Sequence, residues 1–205
     1  MPKINDEGGV WRTVSGRRIF IKDGQELSDA MRESGKFDTE RQSNISKKYK
    51  LTEEEKRALQ SYISSESYKI NDKLRRGMSL TENDKIFVTH LNNALDKLPN
   101  YKGNVIRDLY FLHESDYDYF IQMHERSKEI DYHQFVSCTT KSSYHDNPHV
   151  RLSIKSETGK NLTGYNGSES EVLYKLGAKF KVLSLNSSDD MIIIDLEEAG
   201  YERKE

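Results

Sequence analysis

Two carboxylates stand two positions apart in the stretch GSESEVLY, residues 167–174. Alternation along a β-strand would place the side chains of Glu169 and Glu171 on one face, where like charges repel each other unless cations or hydroxyl groups compensate. Two acids on one face can act together on a single substrate. Two solvated charges at a strand edge explain the same pattern, and both interpretations stay open from these residues alone.

An arginine lies within the apolar run NVIRDLYF, residues 104–111. The guanidinium group of Arg107 in a half-buried strand favours an anion that accepts two parallel hydrogen bonds, which is a carboxylate or a phosphate. A structural ion pair with Asp108 or another acid is the alternative. The residue is therefore a candidate for binding an anionic ligand.

Hydroxyl groups cluster where the apolar run FVSCTTKS, residues 135–142, ends. Alternation places Ser137 and Thr139 on one face, so their hydroxyl groups can orient a neighbouring polar group, although such residues are also common at strand ends without a function. Cys138 points to the other face. We predict that it packs rather than reacts, because the sequence fixes no histidine beside it.

The rest of the chain contains no recognisable metal or phosphate-loop motif. The six histidines are scattered, and the patterns HExxH, CxxC, GxGxxG and the Walker loop do not occur. A single cysteine excludes an internal disulfide and a zinc site with several cysteines. We therefore expect a mechanism without a metal.

Composition argues against nucleic acid and membranes as partners. The 32 Lys and Arg residues nearly balance the 34 Asp and Glu residues, which gives a formal net charge of -2 and no global field that attracts polyanions. No run approaches the about 20 apolar residues of a membrane span, and the first residues lack the apolar core of a signal peptide. We expect a soluble protein without an N-terminal signal peptide.

The N-terminal quarter of the chain predicts a small hairpin and a linker. Residues 11–25 alternate on both sides of Ser15 and Gly16, a pair that favours a tight turn between two strands. Residues 26–50 are charged and weakly periodic, with at most one short helix around ELSDAMRES. We assign residues 1–50 to a β-hairpin followed by a linker or arm.

Residues 51–99 predict a helical subdomain. The first helix begins after Thr52, which has a glutamate three residues later in the capping-box position. A second helix stops at Gly77. A third begins after Thr81 and carries a broad apolar stripe until Pro99 ends it.

Six apolar runs after residue 100 have the character of β-strands. They are NVIRDLYFL, QFVSCTT, HVRLSIKS, EVLYKLG, AKFKVLSLN and MIIIDL, and one helix near residues 115–127 interrupts them. Most connections are too short for crossover helices, which favours antiparallel pairing in a sandwich. The predicted fold class is α+β, with an N-terminal helical subdomain followed by a mainly antiparallel β-sandwich in residues 100–205.

The order of these features resembles the mono-ADP-ribosyltransferases of the Arg, Ser-Thr-Ser, Glu-x-Glu class, which include the enzymatic components of binary actin-modifying toxins and related bacteriophage enzymes. An arginine on the first strand, FVSCTT after a helix and SESEVLYKLGAKFKV carry the resemblance, together with the lead-in SYISSESYKINDKLRRG and LDKLPNYKG. It covers residues 54–183 and implies one ADP-ribosyltransferase domain in residues 51–205. The hairpin looks like a segment found beside such domains in phage head-associated proteins.

The resemblance implies a role for each candidate residue. Arg107 would bind the pyrophosphate of NAD, and Thr139 would support the nicotinamide side of the pocket. Ser137 would position Glu171, which would accept a hydrogen bond from the ribose 2'-hydroxyl and stabilise positive charge as nicotinamide leaves. Glu169 would hold the acceptor and help to deprotonate it.

The resemblance also implies the reaction. Glutamate at position 169 accompanies arginine acceptors in this family, so the implied activity is an NAD-dependent protein-arginine mono-ADP-ribosyltransferase, with NAD as co-substrate and a protein acceptor in the cytoplasm of a target or host cell. A phage-encoded enzyme and a delivered toxin are both compatible with this activity. Two alternatives are an NAD glycohydrolase that uses the same site and a catalytically silent phage structural or interaction module.

Asp108 departs from the family pattern, and three other residues would match it in its loops. Asp108 follows Arg107 where the family more often has glycine, and an ion pair between the two would weaken phosphate binding. Tyr165 is the expected aromatic residue of the acceptor loop, with a role in substrate recognition, although its spacing from the glutamates is one residue longer than usual. Tyr144 and His145 would belong to the loop over the nicotinamide.

Overall fold

The computed structural model describes residues 9–14, 17–22, 24–63, 67–141, 147–165, 170–188 and 191–199. In these ranges the chain forms five helices and ten strands. Strands β1 (Gly9–Val14) and β2 (Arg17–Lys22) pair antiparallel, as the alternation predicts. The expected turn residues Ser15 and Gly16 lie outside the described residues.

Helix α1 (Leu27–Lys48) occupies most of the segment that the sequence predicts to be a linker. The prediction of at most one short helix in residues 26–50 was wrong. The last turns of α1 pack on the body of the protein, where Ser46 is buried and the Gln42 side-chain amide donates a hydrogen bond to the Tyr165 carbonyl oxygen. Such distant contacts stabilise a helix whose own apolar periodicity is weak.

Three further helices form a layer as predicted: α2 (Glu53–Tyr62), α3 (Ser67–Arg75) and α4 (Glu82–Lys97). Thr52 and Thr81 each accept a hydrogen bond from the backbone N–H three residues later, and the acidic side chain at that position accepts from the backbone N–H of the threonine. These two capping boxes confirm the predicted starts of α2 and α4, because each satisfies N–H groups that a helix leaves unpaired.

The C-terminal half contains helix α5 (Glu114–Arg126) and a single eight-stranded ladder. Its strands are β3 (Gly103–Leu109), β4 (Glu129–Tyr132), β5 (Val136–Thr139), β6 (Val150–Ser156), β7 (Lys160–Asn161), β8 (Glu171–Tyr174), β9 (Ala178–Ser188) and β10 (Met191–Glu198). The order is β4-β9-β10-β6-β3-β5-β8-β7. Of the pairs in this ladder, β10 with β6 is parallel and the others are antiparallel. The α+β class and the mainly antiparallel sheet are confirmed.

The ladder folds over itself at the junction of β3 and β5, where a single residue pair, Ile106 opposite Thr139, joins the two halves. Tyr174 on β8 and Phe180 on β9 stack edge to face with ring centroids 5.1 Å apart, although their strands are not neighbours in the ladder. One apolar core contains side chains from both halves, including Leu152 and Val172. The two halves therefore face each other as a sandwich.

A second core lies between the helices and the outer face of β5 and β8. Leu173 belongs to this core, whereas its neighbours Val172 and Tyr174 belong to the core inside the sandwich. Glu171 stands two positions before Leu173, and Ser137 lies opposite Leu173 in the ladder. Alternation therefore turns Glu171 and Ser137 towards the helical layer.

A buried histidine joins α5 to strand β4. The ring nitrogen Nδ1 of His124 lies 2.7 Å from the Phe120 carbonyl oxygen, and Nε2 lies 2.8 Å from the Tyr132 hydroxyl oxygen. Because a carbonyl oxygen only accepts, Nδ1 carries the hydrogen and Nε2 accepts from the tyrosine. Burial lowers the pKa of His124, while the hydrogen bond to the Phe120 backbone opposes that effect.

The stability of the fold should therefore decrease as the pH falls below about 6.5, the ordinary pKa of histidine. In this range the unfolded chain takes up a proton at His124 that the folded protein does not, and the loss continues until the pH passes the lowered folded-state pKa. Denaturant unfolding at pH 8 and pH 5 measures the difference. We expect a smaller difference in His124→Gln, and an equal pH dependence in both proteins would contradict this role.

Candidate active site

Glu171 is the centre of the candidate site. It is the first residue of β8 and is buried, and the Ser137 hydroxyl donates a hydrogen bond of 2.6 Å to its oxygen Oε1. Its backbone carbonyl accepts from the Leu162 N–H at 2.9 Å. A buried carboxylate is costly unless polar groups satisfy it, so this arrangement holds the acid in one place.

Arg107 contacts the backbone of the same serine. Its Nη1 group donates a hydrogen bond of 2.6 Å to the Ser137 carbonyl oxygen. Ser137 thus contacts the guanidinium through its backbone and the carboxylate of Glu171 through its side chain. Burial raises the pKa of Tyr62, the hydrogen bond from Asn71 lowers it, and the nearby charges of Glu171 and Arg107 raise and lower it respectively.

Asp108 pairs with a different arginine. Alternation places the side chains of Arg107 and Asp108 on opposite faces of β3. Arg151, which is opposite Asp108 in the ladder, donates to it through Nε at 2.7 Å and through Nη2 at 3.0 Å. The hydrogen bond that Arg151 donates to Asp108 is the main cause that raises the pKa of Arg151. Both carboxylate oxygens of Asp108 therefore accept hydrogen bonds from Arg151.

Thr139 lies beside the acid, opposite Glu171 in the ladder. It is buried, and its hydroxyl oxygen accepts a hydrogen bond of 3.2 Å from the Lys141 N–H. The next residue, Thr140, donates its N–H to the Ser170 carbonyl oxygen at 3.0 Å. The end of β5 therefore holds the chain immediately before Glu171.

Of the other sequence-predicted site residues, the structure describes Tyr165. Tyr165 is 1% exposed in the core below the helices, and its hydroxyl donates to the Lys56 carbonyl oxygen at 3.4 Å. Burial is the main cause that raises its pKa. This position favours packing over contact with an acceptor. Glu169, Tyr144 and His145 lie outside the described residues.

Asn71 is a positioning residue that the sequence predictions missed. Its Nδ2 group donates to the Tyr62 hydroxyl at 3.0 Å, and its Oδ1 atom accepts from the Phe135 N–H at 3.1 Å. Phe135 precedes β5, so this amide ties α3 to the strand that carries Ser137. The sequence contained a signal for this contact. Asn71 lies beside Ile70 and Leu74, which define the apolar side of the helix that faces the protein body.

The described ranges contain neither a metal cluster nor a membrane-spanning helix. No group of three or more His, Cys, Asp or Glu side chains in this part of the chain is arranged to hold a metal ion. None of the described helices combines the length and the apolar character needed to cross a membrane.

Comparison with known families identifies the family of the chain. Residues 36–199 match the family described as ADP-ribosyltransferase exoenzyme. The match covers most of the chain and includes Arg107, Ser137, Glu169 and Glu171. The chain belongs to this family, which confirms the resemblance seen in the three motifs.

Two curated relatives have the same name. The chain is 32% identical over 136 residues to the NAD(+)-protein-arginine ADP-ribosyltransferase Tre1 of Pseudomonas putida, which covers 65% of this chain and 26% of the relative. It is 25% identical over 165 residues to Tre1 of Serratia proteamaculans, which covers 78% of this chain and 35% of the relative. The chain thus spans about a quarter to a third of the relatives that it matches.

A solved structure supports the fold. The type III effector XopAI of Xanthomonas axonopodis pv. citri superposes with a TM-score of 0.63 at 20% sequence identity, over 84% of this chain and 75% of that one. Agreement at this low identity shows that the two proteins share a fold.

Cys138 should be unreactive in the folded protein. It is buried in the core inside the sandwich, and burial raises its pKa to about 12. The thiolate is the reactive form, so a thiol reagent at pH 8 should modify the native protein far more slowly than the denatured protein. Measurement with a chromogenic disulfide, with and without denaturant, tests this. Rapid modification of the native protein would show that the predicted packing role is wrong.

Proposed function

We propose that the chain is an NAD-dependent protein-arginine mono-ADP-ribosyltransferase, which transfers ADP-ribose from NAD to an arginine side chain and releases nicotinamide. The observation that carries the proposal is the double contact of Ser137, with Arg107 through its carbonyl oxygen and with Glu171 through its hydroxyl group. Family membership and the names of the two relatives support it.

Arg107 suits the pyrophosphate of NAD. Its guanidinium group carries five N–H donors in a rigid fork, and the bond to the Ser137 carbonyl oxygen uses one of them to hold the side chain. Phosphate oxygens favour such a planar, permanently charged group. The partnership of Asp108 with Arg151 supports this role, because Asp108 already has a cation on the other face of the strand.

Glu171 suits the ribose next to the bond that breaks. Positive charge develops on the sugar as nicotinamide departs, and a fixed carboxylate in a buried site stabilises that charge mainly in the transition state. The hydrogen bond from Ser137 fixes the position of this carboxylate, and we assign the carboxylate to the ribose 2'-hydroxyl. We assign Thr139 to the nicotinamide side, since it lies opposite Glu171 in the ladder.

Glu169 is the residue that we assign to the acceptor. A protonated guanidinium is a poor nucleophile until a carboxylate orients it and accepts a proton as it attacks. Glu169 stands two positions before Glu171, and glutamate at this position accompanies arginine acceptors in the family. Acceptor recognition is therefore assigned to Glu169, and the buried Tyr165 is assigned to packing.

The acceptor that we propose is a protein in the cytoplasm of a target or host cell. Membership in a family of exoenzymes supports a delivered toxin, and the likeness of the hairpin to phage-associated segments supports a phage-encoded enzyme. Water in place of the arginine would give NAD glycohydrolysis at the same site. A silent structural module is less well supported, because Ser137, Arg107 and Glu171 are assembled together.

Binding of NAD should depend on Arg107. We expect Arg107→Ala to weaken binding about tenfold or more, because hydrogen bonds to a charged partner each contribute about 1.5–3 kcal/mol. The increase in melting temperature at graded NAD concentrations measures the affinity. Arg126→Ala, which removes an exposed arginine at the end of α5, is the matched control and should bind NAD like the wild type. Equal binding by both variants would contradict the assignment.

The two glutamates should separate the two reactions. Glu171→Gln should reduce both arginine transfer and NAD glycohydrolysis on the order of a hundredfold or more, since both reactions need its charge. Glu169→Gln should lose transfer to arginine and retain glycohydrolysis. Release of nicotinamide and labelling of a guanidinium acceptor, both from NAD, measure the two rates. Equal losses in both variants would refute the separate roles.

A further inference from the structure

A tight turn leads from β7 towards the two acids. The N–H of Tyr165 donates to the Leu162 carbonyl oxygen at 2.7 Å, and the N–H of Leu162 donates to the Glu171 carbonyl oxygen at 2.9 Å. Both Leu162 and Tyr165 are buried in the core below the helices. The turn of residues 162–165 is thus bonded directly to the backbone of Glu171.

The last turns of α1 hold this turn through polar contacts. The Gln42 side-chain amide donates to the Tyr165 carbonyl oxygen at 3.1 Å, and its own oxygen accepts from Gln60 on α2 at 3.2 Å. Ser46, one turn further along the helix, is buried. Helix α1 therefore contacts the backbone of the last residue of the turn.

The Ile45 side chain of helix α1 occupies the space beside Gly164 in the turn. A Cβ atom added at Gly164 would lie 2.6 Å from the Cδ1 atom of Ile45, which is closer than such atoms approach each other, and 3.7 Å from its Cγ1 atom. Ile45 packs against the same core as Tyr165. A side chain at position 164 therefore requires the Ile45 side chain, the helix or the turn to move.

The chain is anchored again after the turn. The Ser170 carbonyl oxygen accepts from the Thr140 N–H at 3.0 Å, and β8 begins at the next residue. In the sequence, Glu169 stands four positions after Tyr165 and one before Ser170. One anchor of the stretch that carries Glu169 is therefore supplied by β5, and the other by α1.

We propose that α1 is a positioning element for the acceptor, so that Gln42 and Ile45 control transfer to arginine relative to NAD glycohydrolysis. This inference rests on the proposed function. Arg107, Ser137 and Glu171 are held by the strands of the sandwich and suffice for glycohydrolysis. Transfer needs Glu169 in addition, and α1 fixes the turn from which the chain reaches Glu169.

Gln42→Ala tests the polar contact, with agmatine as the guanidinium acceptor. We expect kcat/KM for agmatine to fall on the order of tenfold, because small misplacements of a positioning element have large effects on rate. The fall should come mainly from a higher KM for agmatine, while the rate of NAD glycohydrolysis and the KM for NAD stay within about twofold of the wild type. Asn44→Ala, an exposed amide on the same helix, is the matched control and should change neither rate.

The apolar contact allows a test by rescue. Gly164→Ala should lower agmatine transfer relative to glycohydrolysis, because the new methyl group displaces the turn from Ile45. Ile45→Val removes the Cδ1 atom that meets this methyl group, so the double variant should regain the wild-type ratio. Melting temperatures of all variants show that each is folded. A loss that Ile45→Val does not reverse would show that the α1 contact is not its cause.

The outcomes separate this inference from the proposed function. A wild-type protein that neither transfers ADP-ribose to agmatine nor hydrolyses NAD refutes the proposed function and this inference with it. An active wild type with an unchanged ratio in both Gln42→Ala and Gly164→Ala overturns the inference alone. A parallel fall of both rates also overturns it, since that result describes a general structural role. An unchanged ratio in only one variant removes that contact from the positioning role.

Discussion

The site depends on the position of one serine. Ser137 stands on the strand between β3 and β8, and it bonds to Arg107 through its carbonyl oxygen and to Glu171 through its hydroxyl group. A neutral residue thus holds both the cation and the acid. A buried polar network of this kind is favourable only when its members are satisfied, so the rest of the fold must keep β5 in register with its neighbours.

Two cores on opposite faces of β5 and β8 supply that rigidity. Val172 and Tyr174 pack inside the sandwich, and Leu173 packs against the helices. Asn71 adds a polar tie from α3 to the residue before β5. The pairing between β3 and β5 is short, and its single residue pair, Ile106 opposite Thr139, lies next to Arg107 in the sequence.

The sequence predicted correctly those features of the structure that depend on neighbouring residues. Capping at Thr52 and Thr81 depends on residues three positions away, and it located two helices correctly. Alternation placed Cys138 on the face opposite Ser137, as the structure has it. The partner of Asp108 was beyond such reasoning, because Arg151 faces it only through the register of β3 with β6, 43 residues along the chain. Helix α1 was missed for a related reason, since its stability comes from contacts with Tyr165 and the core rather than from its own periodicity.

The sequence by itself determined which chemical groups are available and which strands carry them. The types and order of Arg107, Ser137, Glu169 and Glu171 indicated the family, because strand alternation and motif spacing are written in neighbouring residues. Only the tertiary structure decided that Arg107 and Glu171 meet at Ser137, that Asp108 belongs to Arg151, and that Tyr165 is a core residue. Each of these depends on contacts between distant parts of the chain, which strand register and core packing select together.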